Sequence, residues 1–268
     1  MSWLKTGAAA AAMYEKAEAE QKARQENSKQ TWRFFLNQGE EGRITFIDGN
    51  LGEDGLLQAP TFREHNMKIN GRWGNHFVCP KEQEGECPIC EMTFYDQKAQ
   101  KEKNYWPSLV SALTIIDHRK TPSKKDPEKF YQNQRRLFVF GQEVYKILHA
   151  MAIKRGGLAG LTVDVVRPDK PNSLRTGSSF DFVEKNPIAK LRSQFTIKGE
   201  DGKLRTYFVP AKYEEEFPYR SVKELKALGF GTGGGVVGGE PPLEDDDSVP
   251  FDADDDTIID PEEIEKHL

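Results

Sequence analysis

The sequence predicts a mostly β fold, and three observations support this prediction. Short runs of β-branched and aromatic residues recur between turn signals from Thr31 to about Tyr219. Before them, residues 1–30 are rich in alanine, glutamate and lysine and contain almost no helix breaker after Gly7. After them, acidic residues dominate, as is typical of a disordered segment. We therefore expect a β core between an N-terminal helix and a disordered acidic C-terminal tail.

The predicted strands are short and separated by turns of uneven length. One helix interrupts them at Gln142–Lys154, where apolar residues recur at helical spacing. This combination suits a small β-barrel of the oligonucleotide-binding (OB) type, although many other β folds give the same pattern. The expected strands are Arg43–Ile47, Leu109–Ile116, Arg136–Phe140, Leu161–Val166, Phe180–Val183, Gln194–Ile197 and Leu204–Val209.

These patterns divide the chain into four parts. Residues 1–30 form a helical arm with too few apolar residues for a core face, so the arm is expected to pack on a neighbouring subunit. Residues 31–226 form the OB-type core, which includes a small metal subdomain at about residues 60–100. Residues 227–239 form a glycine-rich linker, and residues 240–268 form the acidic tail.

Charge is distributed unevenly between the body and the tail. The tail contains 13 acidic residues and one lysine, a net charge of -12, whereas the whole chain carries -5. The first 239 residues therefore carry +7. A basic body with a tethered acidic segment predicts a polyanion-binding surface for which the tail competes. Improved solubility is the alternative role of such a tail.

Composition argues against a membrane or secreted protein. No apolar run approaches the roughly 20 residues that span a bilayer, and the alanine run at 8–12 lacks the apolar bulk of a signal sequence. Three cysteines, an odd number, favour metal ligation in a reducing compartment over a disulfide framework. We therefore expect a cytoplasmic protein without membrane contacts.

The three cysteines also predict a metal site. Cys79, Cys87 and Cys90 fall within twelve positions, and the Cys-Pro-Ile-Cys step lets one turn direct two thiolates at a single ion. Thiolates favour zinc, and a structural site needs a fourth ligand, which either His65 or His76 can supply by spacing. Because the chain has no His-Glu-x-x-His pattern, we expect one structural Zn²⁺ rather than a catalytic ion.

Basic and aromatic residues alternate through the β region, as single-strand nucleic-acid binders require. Cations contact the phosphates and aromatic rings stack on the bases, whatever their sequence. In Arg136–Phe140, Leu137 and Val139 are expected to face the core and the other three residues the nucleic acid. For each aromatic residue, a position in the core is the alternative. The candidate contacts are Lys68, Arg72, Trp73, Lys101, Lys103, Tyr105, Trp106, Arg136, Phe138, Phe140, Arg205 and Tyr207.

Several of these motifs are shared with a known family. The sequence resembles the single-stranded DNA-binding, helix-destabilising proteins of T-even-type bacteriophages, in detail over residues 60–185 and in layout over the whole chain. The motifs are His65, Asn70-Gly71-Arg72-Trp73, Cys79, Cys87-Pro88-Ile89-Cys90, Tyr105-Trp106, Phe138-Val139-Phe140-Gly141 with the helix that follows, and the acidic tail.

The resemblance implies an OB fold with a zinc subdomain and a non-enzymatic protein that coats single-stranded DNA in replication, recombination and repair. It implies one histidine and three cysteines as zinc ligands, and the Asn-Gly-Arg-Trp step aligns that histidine with His65. It further implies DNA contacts by Tyr105 and Phe138, with Trp106 beside them. The tail would recruit replication and recombination proteins in the cytoplasm of a bacterial host.

The sequence departs from the family in two places. The spacing from Cys79 to Cys87 is shorter, and the N-terminal arm, through which self-association along DNA is expected, lacks the family's compact basic motif. Two alternative functions fit the sequence less well. A zinc-ribbon adaptor that binds only proteins would leave the basic and aromatic residues unexplained. A zinc-dependent nucleic-acid hydrolase would need clustered carboxylates or a phosphate-binding glycine loop, and the body has neither pattern.

Overall fold

The computed structural model of the chain describes most of the region between the predicted arm and the linker. The predicted N-terminal arm, most of the glycine-rich linker and the acidic tail lie outside the described residues. The described residues are 31–69, 72–96, 100–122, 128, 130–171, 173–198 and 204–231.

An antiparallel sheet of seven strands forms the centre of the described region. Its path runs β11-β10-β1-β6-β2-β3, and β9 pairs with β6 beside this path. This sheet confirms the prediction of a mostly β fold. No pairing among the described residues closes it into a barrel. The strands are β1 (Glu41–Phe46), β2 (Thr61–Ile69), β3 (Arg72–Val78), β6 (Ser108–Asp117), β9 (Gln134–Gly141), β10 (Leu161–Val166) and β11 (Ser179–Lys185).

Three small hairpins and five helices complete the described fold. The hairpins pair β4 (Thr93–Asp96) with β5 (Lys101–Asn104), β7 (Thr121–Pro122) with β8 (Phe130–Tyr131), and β12 (Thr196–Lys198) with β13 (Leu204–Thr206). The helices are α1 (Lys81–Glu84), α2 (Gln142–Arg155), α3 (Ile188–Gln194), α4 (Tyr213–Glu216) and α5 (Val222–Ala227). None of the helices in the described part is long and apolar enough to cross a membrane.

Strand β6 connects the sheet, because its partners change along its length. Its first residues pair with β2, residues from Val110 onward pair with β9, and its last residues pair with β1. All residues from Ser111 to Asp117 are buried, as expected of a strand covered on both faces. The metal subdomain begins with β2, and the pairing of β2 with β6 joins this subdomain to the rest of the sheet.

Helix α2 covers the core at the predicted position. It follows Gly141 and ends at Gly156, whose φ of 66° is in the left-handed region that favours glycine. Val144, Leu148 and Ala152 are spaced by four residues, so they share one face, which is buried. They pack in a core cluster that contains four phenylalanines, Phe34, Phe46, Phe138 and Phe140.

The C-terminal part of the described chain is fixed to β6 by buried polar groups. The Tyr213 hydroxyl donates to the Asp48 carboxylate and lies 2.8 Å from the Thr114 hydroxyl. The backbone amide of Thr114 donates to the same carboxylate at 3.0 Å, and the amide of Ala211 donates to the Thr114 hydroxyl at 2.9 Å. Burial raises the pKa of Asp48 and of Tyr213. Each polar group in this network therefore depends on its neighbours for its hydrogen bonds.

Two predicted strands differ from the observed structure. The strand expected at Gln194–Ile197 begins only at Thr196, because α3 continues to Gln194. The strand expected at Leu204–Val209 ends at Thr206. Phe195 and Phe208, which flank these two short strands, stack at 5.9 Å in a separate apolar cluster.

Candidate metal centre

Four side chains meet in a buried cluster beside the sheet. His65, Cys79, Cys87 and Cys90 place one ligand atom each within 4.8 Å of the others. All four residues are buried. This arrangement is consistent with a single structural metal site.

The separations of these atoms fit a tetrahedral ion. Zinc bonds of about 2.3 Å to sulfur and about 2.0 Å to nitrogen place two sulfurs about 3.8 Å apart and a sulfur and a nitrogen about 3.5 Å apart. The Sγ atoms of Cys79 and Cys90 are 3.8 Å apart, and Nε2 of His65 lies 3.3 Å from Cys87 Sγ and 3.8 Å from Cys90 Sγ. These three separations therefore match those around a tetrahedral zinc ion, and all four donors lie within 4.8 Å of one another.

Local structure brings these residues together. His65 lies in β2, and Cys79 follows β3, where its amide continues the ladder by donating to the Arg63 carbonyl at 2.9 Å. Helix α1 then ends at Gly85, whose φ of 77° turns the chain back toward the cluster. The amide of Cys90 donates to the Cys87 carbonyl at 3.1 Å, which closes the turn between the last two ligands.

The structure distinguishes between the two candidate histidines. His76 lies on β3 and its Nδ1 is 3.0 Å from a carboxylate oxygen of Glu64, away from the thiols. The same carboxylate accepts two hydrogen bonds from Arg33, at 2.7 and 2.5 Å. Burial raises the pKa of Glu64, but the hydrogen bonds from Arg33 and His76 outweigh it and lower that pKa to about 2. His76 therefore belongs to an ion-pair network, and His65 is the residue in the metal cluster.

His65 is oriented by a backbone group. Its Nδ1 donates to the Tyr105 carbonyl at 2.6 Å, which leaves Nε2 with its lone pair toward the thiols. Burial lowers the pKa of His65, so the ring is neutral near pH 7. A hydrogen bond from the second ring nitrogen is the usual support of a metal-ligating histidine, because it fixes the tautomer and the ring plane.

Without a cation the thiols of Cys87 and Cys90 would remain protonated. Burial raises the pKa of Cys87, and burial together with the neighbouring thiols raises the pKa of Cys90 to about 12. A bound divalent ion reverses this effect, because it stabilises the thiolates that coordinate it. The chemistry of the donor set therefore fits a metal ion.

Aromatic side chains surround the cluster on one side. The Phe94 ring lies 4.6 Å from Tyr105 and 5.4 Å from Trp73, measured between centroids. Tyr105 is buried among the cysteines, whereas the next residue, Trp106, is 67% exposed. Trp106 thus follows a residue, Tyr105, whose backbone carbonyl accepts a hydrogen bond from the candidate metal ligand His65.

The predicted nucleic-acid contacts on β9 are not supported by their positions. Phe138 is 0% exposed and Phe140 is also buried, so neither ring is available for stacking. Arg136 is buried too, and burial lowers its pKa to about 10. The face assignment is wrong for both rings, because Phe138 and Phe140 belong to the core cluster that also contains Phe46 and Val144 of α2. The Arg136 guanidinium lies over the Trp32 ring, 5.8 Å from its centroid.

The remaining candidates include exposed, half-buried and buried side chains, and two that lie outside the described part. Trp73 is 49% exposed, and Trp106, Lys101 and Lys103 are also exposed. These four residues belong to the metal subdomain or to its junction with β6. Lys68 and Tyr207 are half-buried, Tyr105 is buried at the metal cluster, and the side chains of Arg72 and Arg205 lie outside the described part.

The sequence pattern missed one component of the metal centre. Leu225 of α5 and Phe230 belong to the same buried cluster as the cysteines. Phe230 lies in the stretch predicted as linker from residue 227, yet it is buried, so the chain remains packed as far as Gly231. In the sequence, this burial is indicated locally only by the phenylalanine between Gly229 and Gly231.

No family model matches the chain, and no curated protein matches it either.

Proposed function

We propose that this protein binds single-stranded DNA without sequence preference and coats it in replication, recombination and repair. The observation that carries the proposal is the exposure of Trp106, which directly follows the residue that His65 contacts, Tyr105. Trp106 lies at the edge of a subdomain that also exposes Trp73 and two lysines. Proteins that bind single strands without sequence preference combine aromatic rings with basic side chains on one surface. Bases supply the flat apolar faces that such a ring stacks on, and phosphates pair with the lysines.

The proposed metal is one structural Zn²⁺, because a Cys₃His donor set selects zinc among common cellular cations. In this role His65, Cys79, Cys87 and Cys90 hold the ion, which when bound fixes the fold of the subdomain. His65 in turn holds the Tyr105 carbonyl and so the backbone of Trp106. No enzymatic step is proposed, since four protein ligands leave no open position for a substrate.

We also propose that the sheet belongs to an OB-type fold. Two features support this assignment: one long strand, β6, shared by three neighbours, and a helix between β9 and β10. The acidic tail would compete with DNA for the basic body and recruit replication and recombination proteins, as its charge and spaced apolar residues indicate.

Tryptophan fluorescence tests the proposal. The chain has four tryptophans, and we expect saturable quenching by a long oligo-dT but not by duplex DNA. Because phosphate contacts release counterions, the midpoint should move to higher DNA concentration as salt rises. Replacing Trp106 with phenylalanine keeps a stacking ring, so binding should persist while most of the quenching disappears.

Three results would count against the proposal. Equal affinity for single and double strands would remove the single-strand preference. No response to either DNA would favour the protein-adaptor function instead. Unchanged quenching in Trp106→Phe would show that the signal arises elsewhere and would remove this residue from the binding surface.

A further inference from the structure

The chain returns to the metal centre just before it leaves the described region. Leu225 of α5 and Phe230 are buried in the same cluster as Cys79, Cys87 and Cys90. The Phe230 ring contacts Phe77 of β3 edge to face, with centroids 5.0 Å apart. More than 130 residues separate α5 from the last ligand in the sequence, so this packing closes the site with a remote part of the chain.

Polar contacts hold the same segment to the loop between the first two cysteines. The Glu84 carboxylate accepts from the Tyr219 hydroxyl at 2.5 Å and from the Val222 amide at 3.1 Å. Lys226 of α5 lies 3.3 Å from a carboxylate oxygen of Glu86. Helix α5 is therefore bound to the metal-binding loop by its start, by its buried face and by one of its lysines.

The segment ends against the turn that carries two of the ligands. Gly231 has a φ of 76°, and a Cβ at this position would lie 2.7 Å from the Pro88 Cβ. Only glycine allows this close approach without displacing the Cys-Pro-Ile-Cys turn. The glycine-rich linker thus begins beside Cys87 and Cys90.

We propose that the segment Tyr219–Gly231 is an integral closing element of the metal centre, and that it is docked when the metal is bound and released when the metal is lost. We call it the C-terminal clasp. Through the clasp, the metal fixes the point at which the linker and the acidic tail leave the body. This proposal rests on the proposed metal and is independent of the proposed binding of DNA.

Thermodynamic linkage makes the effect reciprocal. If the metal stabilises the docked clasp, the docked clasp must stabilise the bound metal by the same factor. The metal orders the turn at Cys87–Cys90 against which Phe230 and Gly231 pack. The clasp in turn covers the cysteines with apolar side chains, so a chelator or water reaches them only after the clasp opens.

Metal release from the full-length, zinc-loaded protein tests one direction of this linkage. Release to an excess of a chromogenic chelator should be at least tenfold faster in Leu225→Ala than in the parent protein. Leu228→Ala is the matched control, because Leu228 lies at the end of the same helix but is 51% exposed. It should release zinc within twofold of the parent rate.

A milder variant covers the case in which Leu225→Ala fails to fold. The Ser221 hydroxyl accepts from the Glu224 amide, and the Glu224 carboxylate accepts from Ser221 in return, so this pair caps α5. Ser221→Ala removes the cap without opening a cavity and should accelerate release on the order of fivefold, the effect of an average N-cap. Deleting residues 232–268 leaves the clasp intact and should not change the rate.

Hydrogen exchange tests the other direction. Removing zinc should increase exchange at the amides of Val222–Phe230, while the amides of β1 and β10 remain protected. Unchanged exchange in the clasp after metal removal would overturn the proposal. Equal rates of zinc release in Leu225→Ala, Ser221→Ala and Leu228→Ala would also overturn it. Failure of the parent protein to bind zinc would overturn both this proposal and the proposed metal site.

Discussion

Two aromatic residues, Trp106 and Phe138, are expected to respond to truncation in opposite ways. Both were predicted to stack on DNA, but the first is 67% exposed and the second is 0% exposed. Trp106→Ala should therefore lose affinity for DNA and keep its stability. Phe138→Ala should lose stability, and its folded fraction should bind DNA as the parent does.

The magnitudes follow from these environments. A stacked base contributes about 1 to 3 kcal/mol, so Trp106→Ala should weaken oligo-dT binding roughly 5-fold to 150-fold. Surface substitutions usually change the free energy of unfolding by less than about 0.5 kcal/mol. The Phe138 ring lies 5.4 to 5.9 Å from those of Phe34, Phe46 and Phe140. Truncating a phenylalanine in such a core costs about 3 to 5 kcal/mol of folding free energy.

Two measurements separate the variants. Anisotropy of a labelled oligo-dT gives the affinity at one fixed salt concentration, and urea unfolding gives the stability of the metal-loaded protein. An affinity of Trp106→Ala within twofold of the parent would refute the stacking role of Trp106. A Phe138→Ala protein of parental stability but weakened binding would return this ring to the DNA surface and show that the covered β9 strand opens.

Three further predictions concern the body and the tail. Tyr213→Phe should lower the free energy of unfolding by about 1 to 3 kcal/mol, because Asp48 and Thr114 lose a buried partner. The control is Tyr145→Phe on α2, which should change it less in urea titrations. Burial lowers the pKa of His118, so the unfolded chain binds a proton more tightly than the folded one. Stability should then be retained above about pH 6.5 and fall below it, by at most about 1.4 kcal/mol per pH unit. His118→Gln should reduce this slope and His149→Gln should not, and equal slopes in the two variants would contradict the assignment. Deleting residues 240–268 should strengthen oligo-dT binding most at low salt, and an unchanged affinity would rule out competition by the tail.

The metal cluster was predictable because three of its ligands are close in sequence. A two-residue step between Cys87 and Cys90 restricts their thiols to one turn, whatever the rest of the fold. The choice between His65 and His76 needed the structure or the family resemblance, since either spacing permits ligation. Burial at the thiols and the contact of His76 with Glu64 then separate the two.

The faces of β9 were not predictable from alternation. A period of two assigns residues to two faces, but it does not state which of the faces another element covers. The Phe138 ring lies in the core cluster with Phe34 and Phe46, and Arg136 lies over the Trp32 ring, so both side chains are buried. The packing of Leu225 and Phe230 on the cysteines was hidden for the same reason, because contacts between distant segments leave no local pattern.

Because Trp106 directly follows Tyr105, its fluorescence should report whether the proposed metal site is occupied. The Tyr105 carbonyl accepts the hydrogen bond that orients His65, and the indole is attached to the next residue. Loss of the ion should free this backbone and alter the emission of the indole even when no nucleic acid is present. Emission and metal content should therefore change together along a chelator titration, which provides a label-free assay of occupancy in every variant that keeps this tryptophan.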